Sequence, residues 1–208
     1  MGVMKASPKK LLPLTLIGIA VTSLFSVQPA QAFTITLEQM GANVVANGSG
    51  AINLSGLGSP SLYTPGSTGL WASNGFIETG APPTFLDGYQ GFTGGPTSFG
   101  SGGFNVANTF SGDFVGIWGE PTFYGAPTLW VPNGYVSGAA LSDSMTFFNS
   151  TIASLGLTPG TYVWSWGDGR DQNFTLIIRG SVPDGGSTVC LLGCALLGVV
   201  SLRRRLGC

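Results

Sequence analysis

From residue 33 to residue 181 the chain consists of short apolar alternations, cut every few residues by glycine or proline. Nowhere does it show the three-and-four spacing that a long amphipathic helix requires. Strands are the structure such a chain can build. Phe33, Ile35 and Leu37 alternate with Thr34, Thr36 and Glu38, which predicts a half-buried strand. Asn47-Gly48-Ser49-Gly50, between Val44–Ala46 and Ala51–Leu54, predicts a hairpin turn. Phe114–Trp118 predicts a short apolar strand. Thr158-Pro159-Gly160 predicts a type II turn. Tyr162, Trp164 and Trp166 then line one strand face, and Phe174, Leu176 and Ile178 line the strand that returns. Ser150–Leu155 predicts a single helical turn ending at Gly156.

Between Leu57 and Gly103, 29 of 47 residues are Gly, Ser, Pro or Thr, which alone would indicate a linker. Tyr63, Trp71, Phe76, Phe85, Tyr89, Phe92 and Phe99 punctuate the same stretch, so irregular strands and packed loops are expected instead. The whole predicts an all-β domain, an antiparallel β-sandwich of jelly-roll-like form, with a roll or partly open barrel as the alternative.

The two ends read differently. Lys5, Lys9 and Lys10 precede an uncharged apolar run, Leu11–Val27, and Ala30-Gln31-Ala32 offers the small-x-small pattern of a signal peptidase site. Residues 1–32 are therefore expected to be a cleaved signal peptide, with Ala30 and Ala32 flanking the cut. A retained membrane anchor is the rival reading. At the other end, Val182-Pro183-Asp184-Gly185-Gly186 is followed by the uncharged run Thr188–Leu202 and then by Arg203, Arg204 and Arg205. As a helix that run spans about 22 Å, short of a hydrocarbon core of roughly 30 Å. Snorkelling arginines can cover the difference, and the positive-inside rule keeps them cytoplasmic. Residues 182–208 are expected to hold a single transmembrane helix and its stop signal. Residues 33–181 form the exported domain between them.

This three-part tail resembles the PEP-CTERM class of bacterial sorting signals, and most closely its VPDSG-CTERM variant. Gly185 stands where the named variant has serine. The resemblance implies that an exosortase, a membrane cysteine transpeptidase, processes the protein near the motif, in a host that makes exopolysaccharide. Ala46–Leu54 and Leu155–Gly167 also look like the opening and closing segments of many proteins that carry such tails. The group supplies no biochemical activity that transfers residue by residue.

Composition narrows the chemistry. There is no histidine, so Ser-His-Asp and Cys-His catalysis and histidine-ligated metals are excluded. Cys190, Cys194 and Cys208 all lie in the tail, which leaves the exported domain without a disulfide. Leu191-Leu192-Gly193-Cys194 looks like a lipobox at the wrong end of the chain, and Cys194 reads as a small apolar helix residue. Eight carboxylates against Arg170 and Arg179 give residues 33–181 a net charge of −6, so no nucleic-acid partner is expected. Only carboxylates remain for catalysis, with Asp168, Asp171 and Glu120 as the candidates for a hydrolase. Gly167-Asp168-Gly169-Arg170-Asp171 reads more simply as a hairpin tip. Asp168, Asp171 and Asn173 lack the oxygen spacing of a known calcium loop. No catalytic residue, metal or cofactor is expected.

Tryptophan faces stack on sugar rings. Trp71 and Trp130, in loop-like surroundings, are the candidates for such a role. Trp118 is a further candidate, whereas Trp164 and Trp166, on an alternating strand, read as core. The sequence thus predicts a non-catalytic, exported protein of the cell surface or exopolysaccharide matrix. Its expected partners are signal peptidase, exosortase, the membrane and exopolysaccharide. A carbohydrate-binding or adhesive module is the alternative, and a carboxylate hydrolase the distant one.

Overall fold

The computed structural model of the protein describes Gly2, residues 32–121 and residues 124–180. The signal segment before Ala32, the sorting motif Val182–Gly186, the apolar run and Arg203–Arg205 lie outside the described residues. Among the described residues no helix is long and apolar enough to cross a membrane.

The domain is all-β. Its strands are β1 (Phe33–Met40), β2 (Asn43–Ala51), β3 (Ser61–Tyr63), β4 (Gly69–Trp71), β5 (Phe76–Thr79), β6 (Leu86–Tyr89) and β7 (Phe104–Val106). These are followed by β8 (Thr109–Gly112), β9 (Val115–Trp118), β10 (Thr128–Pro132), β11 (Ala140–Phe147), β12 (Gly160–Ser165) and β13 (Asn173–Ile178). They form a six-stranded sheet in the order β12-β13-β1-β2-β11-β8 and a seven-stranded sheet in the order β3-β6-β10-β9-β5-β4-β7. The glycine- and serine-rich stretch supplies four strands of three or four residues, joined by packed loops.

One buried cluster joins the two sheets. Phe33, Ile35, Leu37, Trp164, Phe174 and Leu176 of the first sheet belong to it with Leu70, Ile77, Ile117 and Leu129 of the second. The period-two alternation of β1 and β13 puts their apolar residues on this inner face, as the burial patterns of both strands show. The predicted hairpin of β12 and β13 is present, with Trp164 opposite Phe174.

Three local expectations are corrected. The pairing of β1 with β13 is parallel, with Phe33 opposite Phe174. No hairpin joins the first strand to the last, so no turn imposes an antiparallel direction on them. Asn47–Gly50 makes no turn. It lies inside β2, and the chain reverses earlier, at Gly41-Ala42, where Gly41 has φ 60°. Gly48 is needed for another reason, since a Cβ there would collide with the Asp143 carboxyl of the neighbouring strand. Gly160 has no positive φ and opens β12, so Thr158–Gly160 is not a type II turn. The left-handed residue is Gly156 (φ 62°), which ends the turn Thr151–Leu155.

Candidate functional site

The second sheet has two usable faces, and strand register decides what stands on each. On β5, Ile77 points into the inter-sheet core while Phe76 and Glu78 point out. On β9, Ile117 points in and Trp118 out. On β10, Leu129 points in and Trp130 out. Pairing then sets the neighbours. Glu78 stands opposite Gly116, which stands opposite Trp130, which stands opposite Gly88. The row beside it runs Phe104, Trp71, Phe76 and Trp118. A row of bulky rings thus flanks a row in which glycines alternate with Glu78 and Trp130.

That alternation makes a hollow. A Cβ at Gly116 would come within 2.7 Å of Glu78 Cγ, so the glycine leaves room for the acid to lie across the sheet. A Cβ at Gly88 would collide with the ring of Tyr63. The result is a cavity of about 250 Å³ bounded, among the described residues, by seven aromatic ones, with Thr64, Ser67 and Glu78 among the polar ones. Trp118 and Trp130 are buried in its floor, Tyr63 and Trp71 are half-buried, and Phe104 and Tyr124 stand at the exposed rim. The rings meet edge to face. Trp118 and Trp130 lie 6.3 Å apart at 83°, and Tyr63 and Trp130 lie 6.2 Å apart at 82°. Such contacts add order to a cluster that is already apolar.

Glu78 is the unusual member. It is 5% exposed, and burial raises its pKa from 4.5 to about 8. Burial is the cause, and among the described residues no charged group or hydrogen bond offsets it. Tyr124 is pushed upward from 10.0 by burial first, then by Glu78 and Tyr63. The cavity therefore presents aromatic rings and one acid that, among the described residues, has no charged or hydrogen-bonded partner. A pocket of that composition is the default place to look for a ligand.

The sequence candidates fall into three groups. Trp71, Trp118 and Trp130 line this one cavity. Trp164 and Trp166 are fully buried in the inter-sheet core, with Nε1 donating to the Pro96 carbonyl (2.9 Å) and to the Asn53 carbonyl (2.7 Å) respectively. Asp168 and Asp171 sit in the turn between β12 and β13, away from the cavity, and Asp171 accepts a hydrogen bond from Asn53 (2.9 Å). Glu120 does not line the cavity either. Among the described residues no group of three His, Cys, Asp or Glu residues is placed to hold a metal.

Sequence reasoning missed Glu78 and the rings around it. The local signal was present, because Phe76-Ile77-Glu78-Thr79 alternates and places Glu78 on the face of Phe76. What that face meets depends on β9 and β10, some forty residues further along the chain.

Comparison with known proteins bears on the tail. Residues 181–206 match the family model described as VPDSG-CTERM motif. No curated protein and no solved structure matches the chain. The chain ends in a VPDSG-CTERM motif, which is a PEP-CTERM-like exosortase sorting signal and implies export through a membrane-anchored intermediate.

Proposed function

We propose that this is a non-catalytic protein of the cell surface or exopolysaccharide matrix, acting through binding by its β domain. The sorting tail carries this reading, because the signal implies an exported substrate of exosortase. In it, residues 1–32 are removed by signal peptidase after Ala30-Gln31-Ala32. Thr188–Leu202 holds the chain in the membrane as a helix, and Arg203–Arg205 stop its transfer. Val182–Gly186 then lies just outside the membrane, within reach of a membrane enzyme. Proline and two glycines disfavour helix there and keep the motif accessible.

A binding role fits the chemistry better than hydrolysis does. Glycoside hydrolysis needs two carboxyl groups about 5–10 Å apart. Among the described residues, Glu78 is the one acid that lines the aromatic cavity. A second reading, a carbohydrate-binding or adhesive module, is favoured by the meeting of Trp71 and Trp130 in that cavity.

Intact-mass analysis of the protein recovered from the host envelope tests the tail. The expected species starts at Phe33 and ends near Pro183-Asp184. Mature surface protein that still ends at Cys208 would overturn exosortase processing. Deletion of residues 182–208 is expected to move the protein from the envelope to the periplasm or medium, as read by fractionation.

A further inference from the structure

We propose that the aromatic cavity on the outer face of the second sheet binds a small organic ammonium group, with its charge set against the Glu78 carboxylate. The proposal rests on the reading of the domain as a binding module and names the chemistry of its guest.

Three observations select that chemistry. First, Glu78 is 95% buried, opens onto the cavity, and has no opposite charge or hydrogen bond from the described residues. A buried acid without a partner is a cost to the fold, and a bound cation turns it into an attraction. Second, among the described residues no lysine or arginine lines the cavity, while Trp71, Trp118, Trp130 and Tyr63 supply aromatic rings, whose faces attract cations. Third, about 250 Å³ lies below the roughly 300 Å³ at which pockets begin to hold drug-sized ligands. A compact head group fits inside such a space. A neutral pyranose would also need polar partners around its whole edge. Beyond the O–H and N–H groups of the rings, Thr64, Ser67 and Glu78 are the described residues that offer side-chain polarity here.

The charge state of Glu78 makes the binding depend on pH. The titratable groups facing it are Tyr63 from β3 and Tyr124 from the loop before β10. The neighbouring strands present Trp71, Phe104, Gly116, Trp118 and Trp130, none of which titrates. With Glu78 titrating near 8, about a tenth is ionised at pH 7 and about nine tenths at pH 9. Affinity for a permanent cation should rise about tenfold between them, because the apparent affinity scales with the competent fraction.

Such a group occurs as a methylated ammonium on small molecules or lipids, and as the protonated amine of an amino sugar. Calorimetry on the full-length chain, in a polyoxyethylene detergent free of sugar and quaternary nitrogen, separates the possibilities. The probes are choline, its uncharged isostere 3,3-dimethyl-1-butanol, glucosamine and glucose. Choline is expected to bind at least tenfold more tightly than its isostere, and tenfold more tightly at pH 9 than at pH 7. Glucosamine binding more tightly than choline at pH 7 would point to the amino-sugar source, and the reverse to a methylated ammonium. Glu78→Gln is expected to abolish both the preference for charge and the pH dependence, with its melting temperature at pH 5 unchanged. Trp71→Ala, at the half-buried wall, should weaken choline several-fold. Equal binding of choline and its isostere, or no binding by either cation, would overturn the proposal. Glucose binding that ignores Glu78→Gln would overturn it while leaving the binding-module reading intact.

Discussion

Replacing Trp164 by alanine is expected to lower the folding free energy by about 3–5 kcal/mol, the usual cost of emptying a large aromatic site. The indole is fully buried and packs against Phe174, with ring centroids 5.8 Å apart at 72°. Its Nε1 donates to the Pro96 carbonyl at 2.9 Å. The loop that carries Pro96 is built around it. A Cβ at Gly95 would collide with the indole, and one at Gly119 would come within 2.8 Å of Nε1. A cavity left there has backbone on two sides and closes poorly. A domain of this size is stable by about 5–15 kcal/mol, and residues 33–181 contain no cysteine to staple it. The loss is therefore a large share of the total. Urea denaturation of the exported protein measures it through the shift of the midpoint at constant slope. Trp164→Phe keeps most of the ring and forfeits the hydrogen bond, so a smaller loss, about 1–2 kcal/mol, should follow. An alanine variant within 1 kcal/mol of the parent would show that the Trp164 site is not part of the folding core.

The second large effect concerns pH. Asp143 points from β11 into the region between the sheets and is 8% exposed. Burial raises its pKa from 3.8 to about 7. The Thr79 hydroxyl and the Gly48 amide pull it back in part, and Asp113 adds to the rise. The pull is weak because Thr79 gives its hydroxyl proton to the Val115 carbonyl at 3.1 Å. Neither Asp143 oxygen has a hydrogen bond of good geometry among the described residues. The folded state therefore holds this proton more tightly than the unfolded chain does. The associated stability is complete below about pH 4 and is lost as pH rises through about 7. The loss is up to about 4 kcal/mol for a shift of this size. Glu78 acts in the same direction, up to about pH 8. Asp143→Asn mimics the protonated acid. The variant should match the parent at pH 4 and exceed its stability by a few kcal/mol at pH 8. Denaturation curves across that range decide the matter, and identical pH slopes for parent and variant would exclude Asp143 as the source.

The exposed ion pair of Arg179 with Glu38 (2.7 Å) carries no comparable weight. A pair open to solvent contributes about 0–1 kcal/mol. The domain rests on its buried rings, and its two buried acids make its stability depend on pH.

Strands whose own residues alternate were legible in the sequence. Phe33-Thr34-Ile35-Thr36-Leu37 and Tyr162-Val163-Trp164 declare a face without help from the rest of the chain. Glycines were harder to read, because one residue serves two ends. Asn47–Gly50 looked like a turn, yet Gly48 is small so that Asp143 can pass. Gly88 fell in the stretch read as irregular strands and packed loops and Gly116 in a predicted apolar strand, yet both serve to hollow out the outer face of the second sheet. Tail and topology stood at opposite extremes. The sorting motif is contiguous in the sequence, so nothing distant is needed to recognise it.

By itself the sequence determined the all-β class, the cysteine-free domain between two apolar ends, and the terminal signal. Each of these is set by neighbours within ten residues or by composition. Only the tertiary structure decided that β1 lies parallel to β13 and that Trp71, Trp118 and Trp130 wall one cavity over Glu78. Alternation tells a strand which way its side chains point. Which rings then meet depends on register between strands far apart in the chain, and that is settled by the packing of the whole core.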